Sequence, residues 1–91
     1  MEKIGNRVGA IQSSDGKTVK FYGYGTYIGD EVPDDNVGGF NLGLPTPKIE
    51  LDNGNIVYGC ECWWGSANKI ASMIDGLEII NVLPERSYEE N

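Results

Sequence analysis

The chain has 91 residues, a mass of 9.9 kDa and a net charge of −7, with seven basic and fourteen acidic side chains and no histidine. This length fits one domain over residues 1–91, with a tail over 83–91 expected to fray. A hydrophobic share of 40% excludes a fully disordered chain. The acidic balance argues against general binding to nucleic acid or to anionic membranes, because both require a positive surface.

The missing residue types exclude several kinds of site. Without histidine there is no imidazole base, no histidine-activated nucleophile and no histidine metal ligand. Cys60 and Cys62 are too few for a structural zinc site in one chain, and a disulfide between them would be strained. We therefore expect reduced thiols, an intracellular protein, no metal, no cofactor and no catalysis. No apolar run approaches the ~20 residues of a membrane-spanning helix.

The first third of the chain predicts a β-hairpin followed by a bent strand. Residues 7–12 and 17–24 favour two strands, and they flank an Asp15-Gly16 turn. Glycines then interrupt an aromatic run, so we expect a kink and a short strand over 26–31. Whether this bend is a barrel corner or a place where a ligand approaches stays open at this point.

The middle of the chain predicts a long loop and a second hairpin. Residues 34–47 have no period and are rich in glycine and proline, which indicates a loop folded over the domain or over a partner subunit. Residues 48–51 and 56–58 then flank Asp52-Asn53-Gly54-Asn55, a strong hairpin signal.

The last third predicts a short helix and a final strand. Ser66 is a candidate N-cap, and Gly76 is placed where a C-terminal glycine ends a helix. An apolar stripe at helical spacing follows Ser66: Ile70, Met73, Ile74 and Leu77. Residues 78–83 favour a strand. Together the elements predict an α+β fold, with a small antiparallel sheet or partly open barrel of five to six strands and one short helix packed on it.

Two adjacent tryptophans mark the most unusual segment. On an extended strand Trp63 and Trp64 point to opposite faces, so one indole is expected at a cleft or an interface. An exposed indole can stack on a nucleobase; one core tryptophan and one interface tryptophan is an equally good interpretation. Glu61 could accept hydrogen bonds from a base edge or a ribose, or it could be a solvated charge.

Contacts to a phosphate would come from main-chain amides and from a few cations. Gly23 and Gly25 are expected to leave amides accessible, and converging amides are good donors to phosphate oxygens. Lys48 lies beside the long loop. Lys69 lies in the first helical turn, where a cation opposes the helix dipole unless an anion is near. Solvated lysines are the alternative for both.

Three stretches carry a resemblance to a known family: Gly-Tyr-Gly-Thr-Tyr-Ile-Gly-Asp-Glu-Val-Pro at 23–33, Pro-Lys-Ile-Glu-Leu-Asp-Asn-Gly at 47–54 and Val-Tyr-Gly-Cys-Glu-Cys-Trp-Trp-Gly at 57–65. With them, most of the chain resembles small phage and prophage proteins that include Thoeris anti-defence sponges. The resemblance implies a non-catalytic homo-oligomer in the cytoplasm of an infected bacterium. Such a protein sequesters a nucleotide second messenger of immunity, for example a cyclic ADP-ribose isomer or a cyclic oligonucleotide.

The expected site is shared between copies, because enclosing a nucleotide needs a pocket of roughly 300 Å³ or more and a small domain has little room for one. Aromatic rings would stack on the base, glycine amides and cations would hold phosphates, and polar side chains would take sugar hydroxyls. The candidates are Trp63, Trp64, Tyr24, Tyr27, Gly23, Gly25, Lys48, Lys69, Arg7, Glu61 and Asn68. The alternatives are an acidic phage protein that inhibits a host protein by direct binding, and a small structural or assembly module.

Overall fold

The computed structural model describes residues 3–33 and 44–84. In chain order its elements are β1 (Arg7–Ser14), β2 (Thr18–Glu31), β3 (Thr46–Leu51), β4 (Ile56–Tyr58), a 3₁₀ turn (Gly59–Glu61), β5 (Trp63–Ser66), α1 (Ala67–Ile74) and β6 (Glu78–Asn81). Most of the predicted loop, residues 34–43, and of the predicted frayed tail, residues 85–91, lies outside the described residues. The end of that loop prediction is wrong, because Thr46 and Pro47 already pair with β2 as the start of β3.

Six strands form one open sheet with the helix packed on it, which confirms the predicted α+β fold. The strand order is β4-β3-β2-β1-β5, all antiparallel, and β6 pairs parallel with the first residues of β2. Four residues join the two ends of this order, β4 and β5, and they span no more than roughly 18 Å. β4 and β5 do not pair with each other, so the sheet is not closed into a barrel.

β2 is the central strand, and it is continuous where the sequence predicted a kink and a separate short strand. The interruption takes the form of a β-bulge instead. Ala10 pairs with Gly23 and Ile11 pairs with Phe21, so Tyr22 has no partner of its own in β1. Gly23 has a φ of 130°, a conformation that favours glycine. The bulge bends the strand while its pairing with β1 continues on both sides.

The sheet buries side chains on both faces. The helix face, covered by α1, carries one cluster of buried residues: Ile11, Val19, Phe21, Ile70 and Ile74. The opposite face carries the second cluster: Val8, Ala10, Tyr22, Ile49, Leu51 and Val57. Two cores in so short a chain follow from strands that carry apolar residues on both sides, and the face without the helix is covered by half-buried side chains that include Tyr27 and Trp64.

The helix begins and ends where the sequence predicted. Ser66 Oγ accepts a hydrogen bond from the backbone N–H of Lys69, 3.3 Å away, which is an N-cap contact. Ile70 and Ile74 are buried against the sheet. The prediction that Met73 belongs to the buried stripe is wrong, because 48% of that residue is exposed. Eight residues give the helix a narrow contact face, and Met73 lies at its margin.

Gly25 is required by close approach of two strands. A Cβ at this position would lie 2.3 Å from the carbonyl oxygen of Glu50 and 2.7 Å from Cα of Leu51, which are both backbone atoms of β3. We expect Gly25→Ala to lower the free energy of unfolding by about 3 kcal/mol or more, because the strands must separate to admit the methyl group. Urea unfolding followed by tryptophan fluorescence measures the effect.

Gly65→Ala is the matched control within the same sheet. A Cβ there meets only the flexible end of Lys69, at 3.7 Å. We expect a change below about 1 kcal/mol for this variant. Equal losses for the two variants would contradict a special packing role for Gly25.

Candidate functional site

A pocket opens where the edge of β2 changes its neighbour. β6 lies along Thr18–Phe21 and β3 lies along Gly25–Glu31, both on the edge of β2 away from β1. Between them β2 makes one hydrogen bond to each side. Phe21 O accepts from Val82 N and Tyr24 O accepts from Asp52 N, each at 3.0 Å. The resulting pocket has a volume of about 260 Å³ and is lined by three stretches, residues 22–24, 51–53 and 81–83.

The pocket combines aromatic rings with polar side chains. Tyr24 packs edge-on against Phe21, with ring centroids 5.0 Å apart, so its ring is held in a fixed place at the lining. Asn53 Oδ1 accepts a hydrogen bond from the N–H of Asn55, so the nitrogen of its amide is the part left to donate to a ligand. Asn81 is the last residue of β6; it is exposed and lines the pocket. These groups suit a flat ring bearing hydrogen-bond donors and acceptors.

Arg7 and Asp52 form an ion pair at the edge of the pocket. Arg7 Nη1 donates to Asp52 Oδ1 at 2.8 Å and Nη2 donates to Oδ2 at 2.6 Å, a bidentate contact between the start of β1 and the β3–β4 turn. The hydrogen bond from Arg7 lowers the pKa of Asp52 and raises that of Arg7. Both side chains are more than half exposed, so solvent can reach the pair.

The structure separates the two tryptophans, with Trp64 half-buried against the core and Trp63 exposed. Trp64 pairs with Ala10 and stacks on Tyr27, with centroids 5.5 Å apart, against the cluster of Val8 and Ile49. The hydroxyl of Tyr27 donates to Asp30 Oδ1 at 2.6 Å, and this hydrogen bond raises the pKa of Tyr27. Trp63 is 66% exposed on β5, whose neighbour in the sheet is β1.

The other candidate residues have local roles away from the pocket. Lys48 Nζ lies 2.8 Å from Glu31 Oε1 in an ion pair. Glu61 Oε2 accepts a hydrogen bond from Tyr58 N at 2.9 Å and so closes the 3₁₀ turn. Asn68 and Lys69 are exposed in the first turn of α1. Gly25 is buried between strands and does not offer its amide to a ligand.

The structure therefore brings together only part of the predicted set. Gly23 and Tyr24 line the pocket, and Arg7 reaches it through Asp52. Asp52 and Asn53 were predicted only as turn residues, and Asn81 was predicted only as part of a strand. No sequence pattern connects position 81 to position 23, because their proximity depends on the parallel pairing of β6 with β2. The pocket is built by one chain, so its formation does not require a second copy.

The segment of the two cysteines differs from an extended strand. Cys60 lies exposed within the 3₁₀ turn, while Cys62 is half-buried and its Sγ donates to Tyr58 O at 3.4 Å. Cys60 and Cys62 do not form a disulfide. Within residues 3–33 and 44–84, no three His, Cys, Asp or Glu side chains come together as a metal site. The described part of the chain holds no helix with the length and apolar character to cross a membrane.

Comparison of the chain with protein-family models, with curated proteins and with solved structures finds no match.

The two tryptophans should differ in their effect on stability. We expect Trp64→Ala to cost about 3 kcal/mol of unfolding free energy, because it removes an indole stacked on Tyr27 and packed on the core. Trp63→Ala should change it by less than about 1 kcal/mol, since that indole is mostly in solvent. Thermal unfolding of both variants by circular dichroism compares them; equal losses would contradict the assignment of Trp64 to the interior.

The Arg7–Asp52 ion pair should make the stability of the folded protein depend on pH in the acidic range. A carboxyl group whose pKa is lowered in the folded state contributes stability above its unfolded pKa of about 3.9, and this is lost as the pH falls through the folded value. We expect Asp52→Asn to be less stable than the parent at pH 7 and to lose less stability between pH 5 and pH 2. Urea midpoints across this range measure it.

Asp75→Asn, at an exposed position just beyond the helix, is the control for the acid series. It should follow the parent's pH profile. A parent-like profile for Asp52→Asn would show that the ion pair does not contribute to stability.

Proposed function

We propose that this protein binds a nucleotide-derived immune signal and holds it without cleaving it, as an anti-defence sponge in the cytoplasm of an infected bacterium. The signal would be a cyclic ADP-ribose isomer or a cyclic oligonucleotide. The observation that carries the proposal is the pocket beside the Gly23 bulge, which has a volume of about 260 Å³. An aromatic ring, two side-chain amides and an ion pair surround it. The resemblance of residues 23–33, 47–54 and 57–65 to phage sponge proteins supports it.

The lining of the pocket suits a nucleobase. Tyr24 provides a flat apolar ring held by Phe21, and base–aromatic stacking contributes about 1–3 kcal/mol in proteins that bind nucleotides. Asn53 provides an amide nitrogen that can donate, and Asn81 provides a carboxamide with both a donor and an acceptor, which suits the edge of a base. Leu51 and Val82 complete an apolar wall. These groups bind a ligand through its shape and through hydrogen bonds to its edge, so the pocket needs no cationic side chain.

The same groups support binding without turnover. The chain contains no histidine, and the one carboxylate of the lining, Asp52, is held by Arg7 in a bidentate pair with a lowered pKa. A carboxylate with a lowered pKa is a weak base and a poor acid near neutral pH. The arrangement therefore favours retention of an intact ligand, which is what a sponge requires.

Trp63 supports a second candidate function, inhibition of a host protein by direct binding. Its indole is 66% exposed on β5, an edge strand of the described sheet. Tryptophan is enriched in protein interfaces, and an exposed strand edge can accept another chain. A surface of this kind could equally join copies of this chain in the homo-oligomer that the sponge proposal includes.

The test of the sponge proposal is thermal unfolding against a panel of cyclic ADP-ribose isomers and cyclic dinucleotides. A ligand present at 100 times its Kd adds about 2.7 kcal/mol of stability, which raises the Tm of so small a domain by more than about 10 °C. Denaturing the complex by heat should then release the ligand intact, as measured by mass spectrometry. A cleaved product would place the protein among enzymes, and the absence of any stabilisation would contradict the proposal.

Two matched variants locate the site. Asn81→Leu removes an amide from the mouth of the pocket and should abolish most of the ligand-induced rise in Tm. Ser72→Leu makes a polar-to-leucine change at an exposed position of α1, outside the pocket, and should leave the rise intact. Equal loss in both variants would contradict the placement of the ligand in this pocket.

A further inference from the structure

We infer that the pocket takes the uncharged nucleoside part of its ligand and that Arg7, at the rim, contacts a phosphate that stays outside. The inference rests on the proposed function and specifies how the ligand is oriented. It follows from the charges of the lining, from the volume of the pocket and from the donors that Arg7 has left after pairing with Asp52.

The lining of the pocket disfavours a phosphate. Among the described residues its only charged side chain is the carboxylate of Asp52, because the stretches 22–24, 51–53 and 81–83 contain no cation and no other acidic residue. A phosphate placed inside would face this carboxylate in a partly enclosed space, where like charges repel more strongly than in open water. The tyrosine rings and the two asparagine amides favour a neutral polar ring and sugar hydroxyls instead.

The volume of the pocket points the same way. Its 260 Å³ lies below the ~300 Å³ at which pockets for whole small-molecule ligands begin. A cyclic dinucleotide or a cyclic ADP-ribose isomer therefore cannot be enclosed completely. One nucleoside part enters, and the charged remainder lies at the mouth.

Arg7 is the cation placed to meet that remainder. It holds Asp52, a residue of the lining, through one N–H of Nη1 and one of Nη2, and Nη1 also lies 3.4 Å from Thr26 Oγ1. A guanidinium has five N–H donors, so others are left for a second anion. About half of the side chain is exposed, which gives a phosphate access to it. The cation of the second described ion pair, Lys48, is bonded to Glu31 and lies outside the lining.

The test compares three probes, adenosine, ADP and inorganic pyrophosphate, by isothermal titration calorimetry. We expect adenosine to bind with a Kd within ~10-fold of that of ADP, because the pocket contacts are shared. Pyrophosphate should not displace adenosine, because it has no place inside the pocket. Raising the salt concentration should raise the Kd of ADP and leave the Kd of adenosine unchanged, because only ADP makes a contact between charged groups.

Arg7→Gln should raise the Kd of ADP towards that of adenosine, by up to ~10-fold, because a charge-assisted hydrogen bond to the phosphate is lost, and should change the Kd of adenosine by less than ~2-fold. Lys17→Gln removes a cation from the exposed β1–β2 turn and should change neither Kd. Displacement of adenosine by pyrophosphate, or equal weakening of adenosine and ADP by Arg7→Gln, would overturn the inference while leaving the sponge proposal standing. The sponge proposal itself fails separately, if no cyclic nucleotide stabilises the protein.

Discussion

β2 pairs with two different strands along one of its edges, and the rest of the structure depends on how that edge is divided between them. β2 pairs with β1 along most of its length, while its other edge is used first by β6 and then by β3. The last residues of β6 and of β3 approach each other along this edge, opposite Phe21 and Gly25. The bulge at Tyr22 and the positive φ of Gly23 bend β2 at the point of exchange, so each neighbour follows its own segment.

The pocket is the space that this exchange leaves. β6 ends its contact at Val82 and the β3–β4 turn begins its contact at Asp52, with the bulged residues between them. The opening is therefore held by backbone hydrogen bonds on both sides and by the Arg7–Asp52 pair, which ties the turn to β1. A site positioned on strands in this way is pre-organised, which reduces the entropy that a ligand must lose to be held.

The aromatic residues are divided between structure and surface. Trp64 and Tyr27 stack on each other over the core, so their rings are used within the fold. Tyr24 is placed at the pocket by Phe21, and Trp63 points into solvent from an edge strand. The proposal of a nucleotide ligand uses Tyr24 rather than the tryptophans that first suggested stacking. Trp63 is left exposed on the edge strand β5 and lies outside the pocket lining.

Local patterns in the sequence determined both hairpins, the helix and the place of Gly23 in an interrupted strand. The Asp-Gly and Asn-Gly turns fix their hairpins because glycine accepts the backbone conformation that each turn needs, and Ser66 begins the helix because its hydroxyl satisfies an end amide. Adjacent positions on a strand also determined that one tryptophan would face out. Tertiary structure alone decided that β6 lies parallel to β2, that Gly25 is buried rather than accessible, and that Asp52, Asn53 and Asn81 meet beside Gly23. These outcomes depend on contacts between residues up to 58 positions apart, which no local spacing encodes.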